Sequence, residues 1–171
     1  LGMDGYIDVI IPRGGEGLKK FVLDNATMPV IASAGGNCHT YVEKTADLDK
    51  AIPVIINAKV QRPSTCNALE HVLVDRGIAA EFLPRLYAAL KENGVEVLGT
   101  QEVKDMLPDV ALATDEDFYT EFSAYKLTVM LVDGVEEAVA FINAHSTNHS
   151  DAILSRDREK LDYFARRVVF R

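Results

Sequence analysis

At 171 residues the chain has room for one large domain, or one and a fraction, with a real core. Hydrophobic residues make up 48% and charged residues 26%, the proportions of a globular protein. The net charge of −8 argues against non-specific binding to nucleic acid, which needs a basic surface to displace counterions from phosphate.

The N-terminal run Leu1-Gly2-Met3-Asp4-Gly5 has neither the basic start nor the apolar stretch of a signal peptide. Asp8-Val9-Ile10-Ile11 is a compact, largely β-branched run closed by Pro12, and it predicts a strand. A glycine-rich turn, Arg13-Gly14-Gly15-Glu16-Gly17, leads into helical spacing over residues 18–22, and Met28-Pro29-Val30-Ile31 predicts a second strand. Strand, glycine turn, helix and strand form a βαβ unit of the phosphate-binding kind. After a further glycine turn at 34–37, Cys38-His39-Thr40-Tyr41-Val42 predicts the next strand.

Thr45 is the expected N-cap of a helix running to about residue 60, with Pro53 inside it as an expected kink. Residues 61–67 interrupt the pattern. Strands are predicted at 71–74, 95–98, 127–132 and 152–154, and helices at 78–91, 101–107, 135–144 and 156–168. Alternating strands and helices of these lengths predict parallel pairing. No apolar run is long enough to span a bilayer, and two cysteines make no disulfide framework, so a soluble protein of the reducing cytoplasm is expected. The chain ends at Val169-Phe170-Arg171, where a further strand is expected.

Cys66 lies in the irregular segment beside Ser64, Thr65 and Asn67, with Arg62 near it in sequence. A polar loop with an arginine can supply the exposure and positive potential that a reactive thiolate needs. A buried cysteine acting as a small hydrophobe is the commoner role, and the local run alone does not decide between them. The Arg13–Gly17 turn is open in the same way, since glycines there serve a phosphate or simply a tight turn. His145 and His149 have helical i, i+4 spacing, but Ser146-Thr147-Asn148 between them reads as a helix end, and no metal site is expected. Cys38 and His39 sit in a strand and face opposite sides. Asp115-Glu116-Asp117 reads as a solvated cap, whereas Glu121 is a lone carboxylate beside aromatics just before a strand.

In order, the runs Ile7-Asp8-Val9-Ile10-Ile11-Pro12-Arg13-Gly14-Gly15, Gly36-Asn37-Cys38-His39-Thr40-Tyr41-Val42, Ala46-Asp47-Leu48-Asp49 and Asn57-Ala58-Lys59 are followed by Gln61-Arg62-Pro63-Ser64-Thr65-Cys66-Asn67-Ala68. Thr120-Glu121-Phe122 and His149-Ser150-Asp151-Ala152-Ile153 complete the series. Together they resemble the aldehyde dehydrogenase superfamily over nearly the whole chain, and within it the gamma-glutamyl phosphate reductase branch of proline biosynthesis. The Gln-Arg-Pro run before the cysteine is the most specific of them. The resemblance implies an α/β fold: a three-layer α/β/α catalytic domain with a mostly parallel sheet over 37–171, preceded over 1–36 by the last βαβ of a Rossmann-like cofactor domain.

The resemblance also implies roles. Cys66 matches the nucleophile; Arg13, Gly14 and Gly15 fall on the cofactor loop; and Glu121 falls where the superfamily has a glutamate on the nicotinamide ribose. Arg62 and Asn67 are candidates for holding the substrate, Arg62 because a guanidinium pairs well with phosphate or carboxylate. Aldehyde-oxidising relatives carry a glutamate that activates hydrolytic water; here that region reads Val30-Ile31-Ala32-Ser33-Ala34-Gly35-Gly36, with Ala32 near its place. Its loss favours reduction of an acyl phosphate. The implied reaction is NADPH-dependent reduction of L-glutamyl 5-phosphate to L-glutamate 5-semialdehyde through a Cys66 thioester, with phosphate released. A small-molecule substrate, a homo-oligomer and glutamate 5-kinase as pathway neighbour are the implied partners, and neither nucleic acid nor membrane is among them. Two other readings stand beside this one: a catalytic-domain fragment without activity, and a thiol-dependent dehydrogenase of another small aldehyde.

Overall fold

The computed structural model describes residues 1–32 and 35–169. The chain divides into two compact units, Leu1–Gly35 and Gly36–Arg171. The expected glycine turn at 34–37 and the expected strand position at 169–171 both reach outside the described residues, to Ala34 and to Phe170 and Arg171.

In the first unit, helix α1 (Glu16–Asn25) starts at Gly15 and closes with the Ala26 N–H donating to the Val22 carbonyl. It is longer at both ends than the 18–22 core of the sequence pattern. The two flanking strands reduce to one parallel bridge, Ile10 with Val30. The Ile10 N–H donates to Pro29 O at 3.0 Å and the Ile31 N–H to Ile10 O at 2.9 Å. Pro12 and Pro29 have no N–H to give a longer ladder, so the β-branched runs pair only where the prolines permit. Val22 and Met28 are buried, while Leu18, Phe21 and Leu23 are exposed.

The second unit is a six-stranded sheet, entirely parallel, in the order β4-β3-β5-β2-β1-β6. Its strands are β1 (Cys38–Val42), β2 (Leu69–Asp75), β3 (Glu96–Gly99), β4 (Ala111–Leu112), β5 (Lys126–Val132) and β6 (Asp151–Leu154). The helices are α2 (Leu48–Val60), α3 (Ala79–Glu92), α4 (Gln101–Met106), α5 (Val135–His145) and α6 (Arg158–Arg167). Strand alternation feeds two cores. Leu127, Val129 and Leu131 of β5 pack with α2, α3 and α4, whereas Met130 and Val132 pack with α5 and α6. This is the expected three-layer arrangement. In α3, Phe82, Leu83, Leu86 and Leu90 fall on one helical face at 1% exposure or less, each burial stabilising by roughly 1.5–3 kcal/mol at most.

Two local expectations change. Helix α2 is capped by Asp47, whose carboxylate accepts the Lys50 N–H, and it continues through Pro53. Thr45 is drawn instead into a network in which its hydroxyl donates to Glu43 Oε2 and accepts the Arg156 and Asp157 N–H groups. Helix α6 starts at Arg158 because Asp157 caps it, accepting from Glu159 and Lys160. Strand β4, two exposed residues, is too short for any periodicity to reveal. No helix among the described residues is long and apolar enough to cross a membrane.

Candidate active site

Helix α2 stops where Pro63 forbids continuation: the residue before a proline is pushed out of helical geometry. The chain then makes two turns, with Arg62 O accepting the Thr65 N–H (3.1 Å) and hydroxyl (2.6 Å), and Thr65 O accepting the Ala68 N–H (2.8 Å). Cys66 sits at this second turn, at the N-terminal edge of the sheet, and its thiol is exposed. Arg62 and Asn67 are exposed on the same segment. Arg62 makes no ion pair among the described residues, so its guanidinium is available to an anion.

The backbone of Cys66 is fixed from beneath. Cys38, buried at the start of β1, donates its S–H to the Cys66 carbonyl at 3.2 Å. Burial first, and then the charge of Asp151, push the Cys38 thiol up to about 12. It therefore remains a thiol at neutral pH, whereas Cys66 is exposed. Gly36 packs directly under the same turn: a Cβ there would lie 1.5 Å from Cys66 O and 2.8 Å from Cys66 Cα. Only glycine allows this approach.

Glu121 lies half-buried between a 3₁₀ helix (Asp115–Tyr119) and β5. The acidic run is the cap of that 3₁₀ helix, because Asp117 accepts the Thr114 N–H and hydroxyl at 2.7 Å each. Those two bonds hold the Asp117 carboxyl below its ordinary range. The segment is pinned on both sides of Glu121. Asn37 Nδ2 donates to Phe118 O at 3.0 Å, and Glu70 Oε1 accepts the Ser123 N–H at 3.3 Å. The Glu121 carboxylate accepts no hydrogen bond among the described residues, a state suited to a diol donor such as a ribose.

Asn37 is a hub. Its Nδ2 donates to the Phe118 and His145 carbonyls, so its Oδ1 must accept from His71 Nε2–H. His71 Nδ1 then accepts from the Thr128 hydroxyl at 2.6 Å. Burial, followed by the neighbouring His39, lowers the His71 pKa from 6.5 to about 2, so the ring is neutral. A depressed folded pKa gives stability that is complete above about pH 6.5 and lost as pH falls towards the folded value. His71 is expected to remove about 2 kcal/mol by pH 5. Urea unfolding from pH 5 to 7 checks this: His71→Gln should flatten the pH slope by about one proton, and an unchanged slope would refute the assignment.

His145 ends α5, its Nδ1–H donating to Phe141 O at 2.8 Å and its ring stacked on Phe141 at 3.8 Å, while His149 lies in the following loop. The pair does not share a helical face. No group of three metal-ligating side chains comes together among the described residues.

A cleft of about 140 Å³ on the Cys66 edge of the sheet is lined by Cys38, Asn67, Leu69, Ser150 and Asp151, among others. A larger hollow of about 290 Å³, lined by Asp47, Lys50 and Arg156, opens at the opposite edge and contains no thiol. Chemistry, not size, selects the first.

In the other unit, Arg13, Gly14 and Gly15 are exposed at the start of α1. Gly14 has φ +155°, and a Cβ on it would meet Leu18 Cδ2 at 2.7 Å, whereas Gly15 faces open space. An open glycine turn at the unsatisfied N–H groups of a ten-residue helix fits a phosphate group. The structure thus groups Cys66, Arg62 and Asn67 on one segment, sets Glu121 in the same unit, and holds Arg13–Gly15 in the other. Gly36, Asn37, Cys38, Lys59, Glu70 and His71 carry no role legible in the sequence alone. Four of them sit in the quoted runs, but a pairing between residues far apart in sequence has no local signature.

Residues 6–108 match the sequence profile of the aldehyde dehydrogenase family. The chain is 50% identical over 166 residues to the gamma-glutamyl phosphate reductase of Carboxydothermus hydrogenoformans, covering 97% of this chain and 40% of that one. The crystal structure of the gamma-glutamyl phosphate reductase of Thermotoga maritima superposes with a TM-score of 0.94 at 44% identity, over 99% of this chain and 41% of the other. An NADP-dependent glyceraldehyde-3-phosphate dehydrogenase of Bacillus halodurans shares the fold at 15% identity and TM-score 0.73, over 96% of this chain and 43% of its own. The chain spans about 40% of the length of the curated relatives it matches.

Proposed function

The chain belongs to the aldehyde dehydrogenase family, and on that premise we propose that its gene product reduces L-glutamyl 5-phosphate to L-glutamate 5-semialdehyde with NADPH in proline biosynthesis. One observation carries the reading: Cys66 is an exposed thiol on a turn whose backbone is locked by Cys38 and Gly36. Such a group can attack an acyl carbon from a fixed direction. The identity to gamma-glutamyl phosphate reductases, 50% over 97% of this chain and 44% over 99% of it, supports the choice of substrate.

The Cys66 thiolate attacks the C5 carbonyl carbon, a C–S bond forms, and inorganic phosphate leaves with the electrons of the broken C–O bond. The Cys66 N–H donates to the oxyanion in this reading, a kind of contact whose loss typically lowers rate by about 10²–10³-fold. NADPH, when bound, supplies the hydride that reduces the resulting thioester. Cys66 then leaves as thiolate, and the aldehyde is released. Arg62 balances the phosphate or the substrate carboxylate, and Asn67 donates to the substrate from the cleft wall. Glu121 would accept from the nicotinamide ribose, and Arg13, Gly14 and Gly15 would hold the cofactor's phosphate side. In this reading the first unit is the end of a dinucleotide-binding domain, in keeping with the exposed Leu18, Phe21 and Leu23 of α1. The acyl phosphate must come from a kinase acting on the glutamate side-chain carboxylate, and the whole sequence belongs in the cytoplasm.

Ala32, in place of a water-activating glutamate, leaves the thioester to phosphate. The reverse reaction therefore gives the test: with glutamate 5-semialdehyde and NADP, the full gene product should form NADPH beyond one equivalent per Cys66 only when phosphate is present. Sustained turnover without phosphate would instead mark a hydrolytic aldehyde dehydrogenase.

A further inference from the structure

Lys59 and Glu70 form an ion pair at 2.7 Å with side chains 0% and 1% exposed. Burying two charges is expensive, and apolar replacements of such pairs are often neutral or stabilising. Stability is thus a poor reason for the pair, and its surroundings give a better one. Lys59 stands in the last turn of α2, directly before the Cys66 turn, and Glu70 stands in β2, directly after it. The second carboxylate oxygen of Glu70 reaches across to the Ser123 N–H at 3.3 Å. Lys59 and Cys38 both feel the charge of Glu121, and Cys38 also holds the Cys66 carbonyl. One buried pair therefore ties the two ends of the nucleophile's turn to the backbone just after Glu121. Desolvation raises the Glu70 carboxyl to about 7 and lowers the Lys59 ammonium, so each group depends on the other to keep its charge.

We propose that Lys59 and Glu70 are positioning residues that hold Glu121 in register with Cys66 by anchoring the Ser123 backbone. The proposal rests on the reading of Glu121 as a cofactor contact. Lys59 orients and charges Glu70; Glu70 accepts from Ser123; Ser123 fixes the segment two residues back.

Two double variants of the full gene product separate positioning from packing. Both remove the charges together, which avoids leaving one buried and unpaired. Lys59→Met with Glu70→Gln keeps an acceptor for Ser123, and its NADPH dissociation constant should stay within about 3-fold of wild type. Lys59→Met with Glu70→Leu has no acceptor, and its constant should rise about 10-fold, the loss of one hydrogen bond. The alkylation rate of Cys66 without cofactor should hold in both. Equal dissociation constants in the two variants would overturn the positioning role alone, provided that Glu121→Gln weakens NADPH. No weakening in Glu121→Gln would overturn the underlying reading and the proposal with it. Amide exchange needs no variant: the Ser123 N–H should be protected in the wild type, and free exchange there would sink the proposal.

Discussion

Replacing Cys66 by alanine is expected to lower kcat by about 10⁴-fold or more in the full gene product, with folding and NADPH binding intact. Folding should be unaffected because the thiol is exposed and the substitution leaves the backbone contacts of the turn in place. Rate should collapse because Cys38, the other thiol among the described residues, cannot take its place. Cys38 is buried and held protonated, and its S–H is committed to the Cys66 carbonyl. Burst-phase phosphate release from L-glutamyl 5-phosphate measures the acylation step directly. A Cys66→Ala protein that still releases phosphate at the wild-type rate would remove the thiol from the mechanism.

Gly36→Ala should produce the second-largest effect, without touching a reacting atom. The new methyl group would lie 1.5 Å from Cys66 O and 2.3 Å from its carbonyl carbon, an overlap with backbone that no rotamer can relieve. The Cys66 turn must therefore move by an ångström or more, carrying thiol and N–H out of line. Misplacement of that size lowers kcat by about 10²-fold, and the overpacking costs about 1–3 kcal/mol of stability. Single-turnover kinetics alongside urea unfolding separate the two. A variant with normal kcat would show that the turn tolerates displacement, against the account of a fixed nucleophile.

The elements these effects depend on were legible to different degrees. Strand β1 has its predicted bounds, and β5 differs by one residue, because each is a short run bounded by glycine or charged residues and covered on both faces of the sheet. The turn carrying Cys66 was legible as an interruption, since Pro63 and the polar run end the helical period. The first unit was not: its β-branched runs promise two strands, but Pro12 and Pro29 leave one bridge. Thr45 before an acidic pair looked like a cap, yet a buried Glu43 and the N–H groups of Arg156 and Asp157 compete for its hydroxyl and win. The contacts under Cys66 were hidden for the same reason. Gly36, Cys38 and Cys66 lie up to 30 residues apart and meet only when β1 and β2 pair, and Lys59 and Glu70 approach the Ser123 backbone only when the sheet closes.

If Cys66 carries the acyl group, that group can be trapped on it. The full gene product would be incubated with glutamate 5-semialdehyde and NADP without phosphate, quenched in acid, digested and mapped by mass spectrometry. Hydride removal from the thiohemiacetal leaves a thioester, and without phosphate or an activated water it should persist. The predicted result is a glutamyl adduct on the peptide containing Cys66, discharged when phosphate is added before the quench. An adduct on Cys38, or NADPH formation with no adduct on either cysteine, would contradict the account.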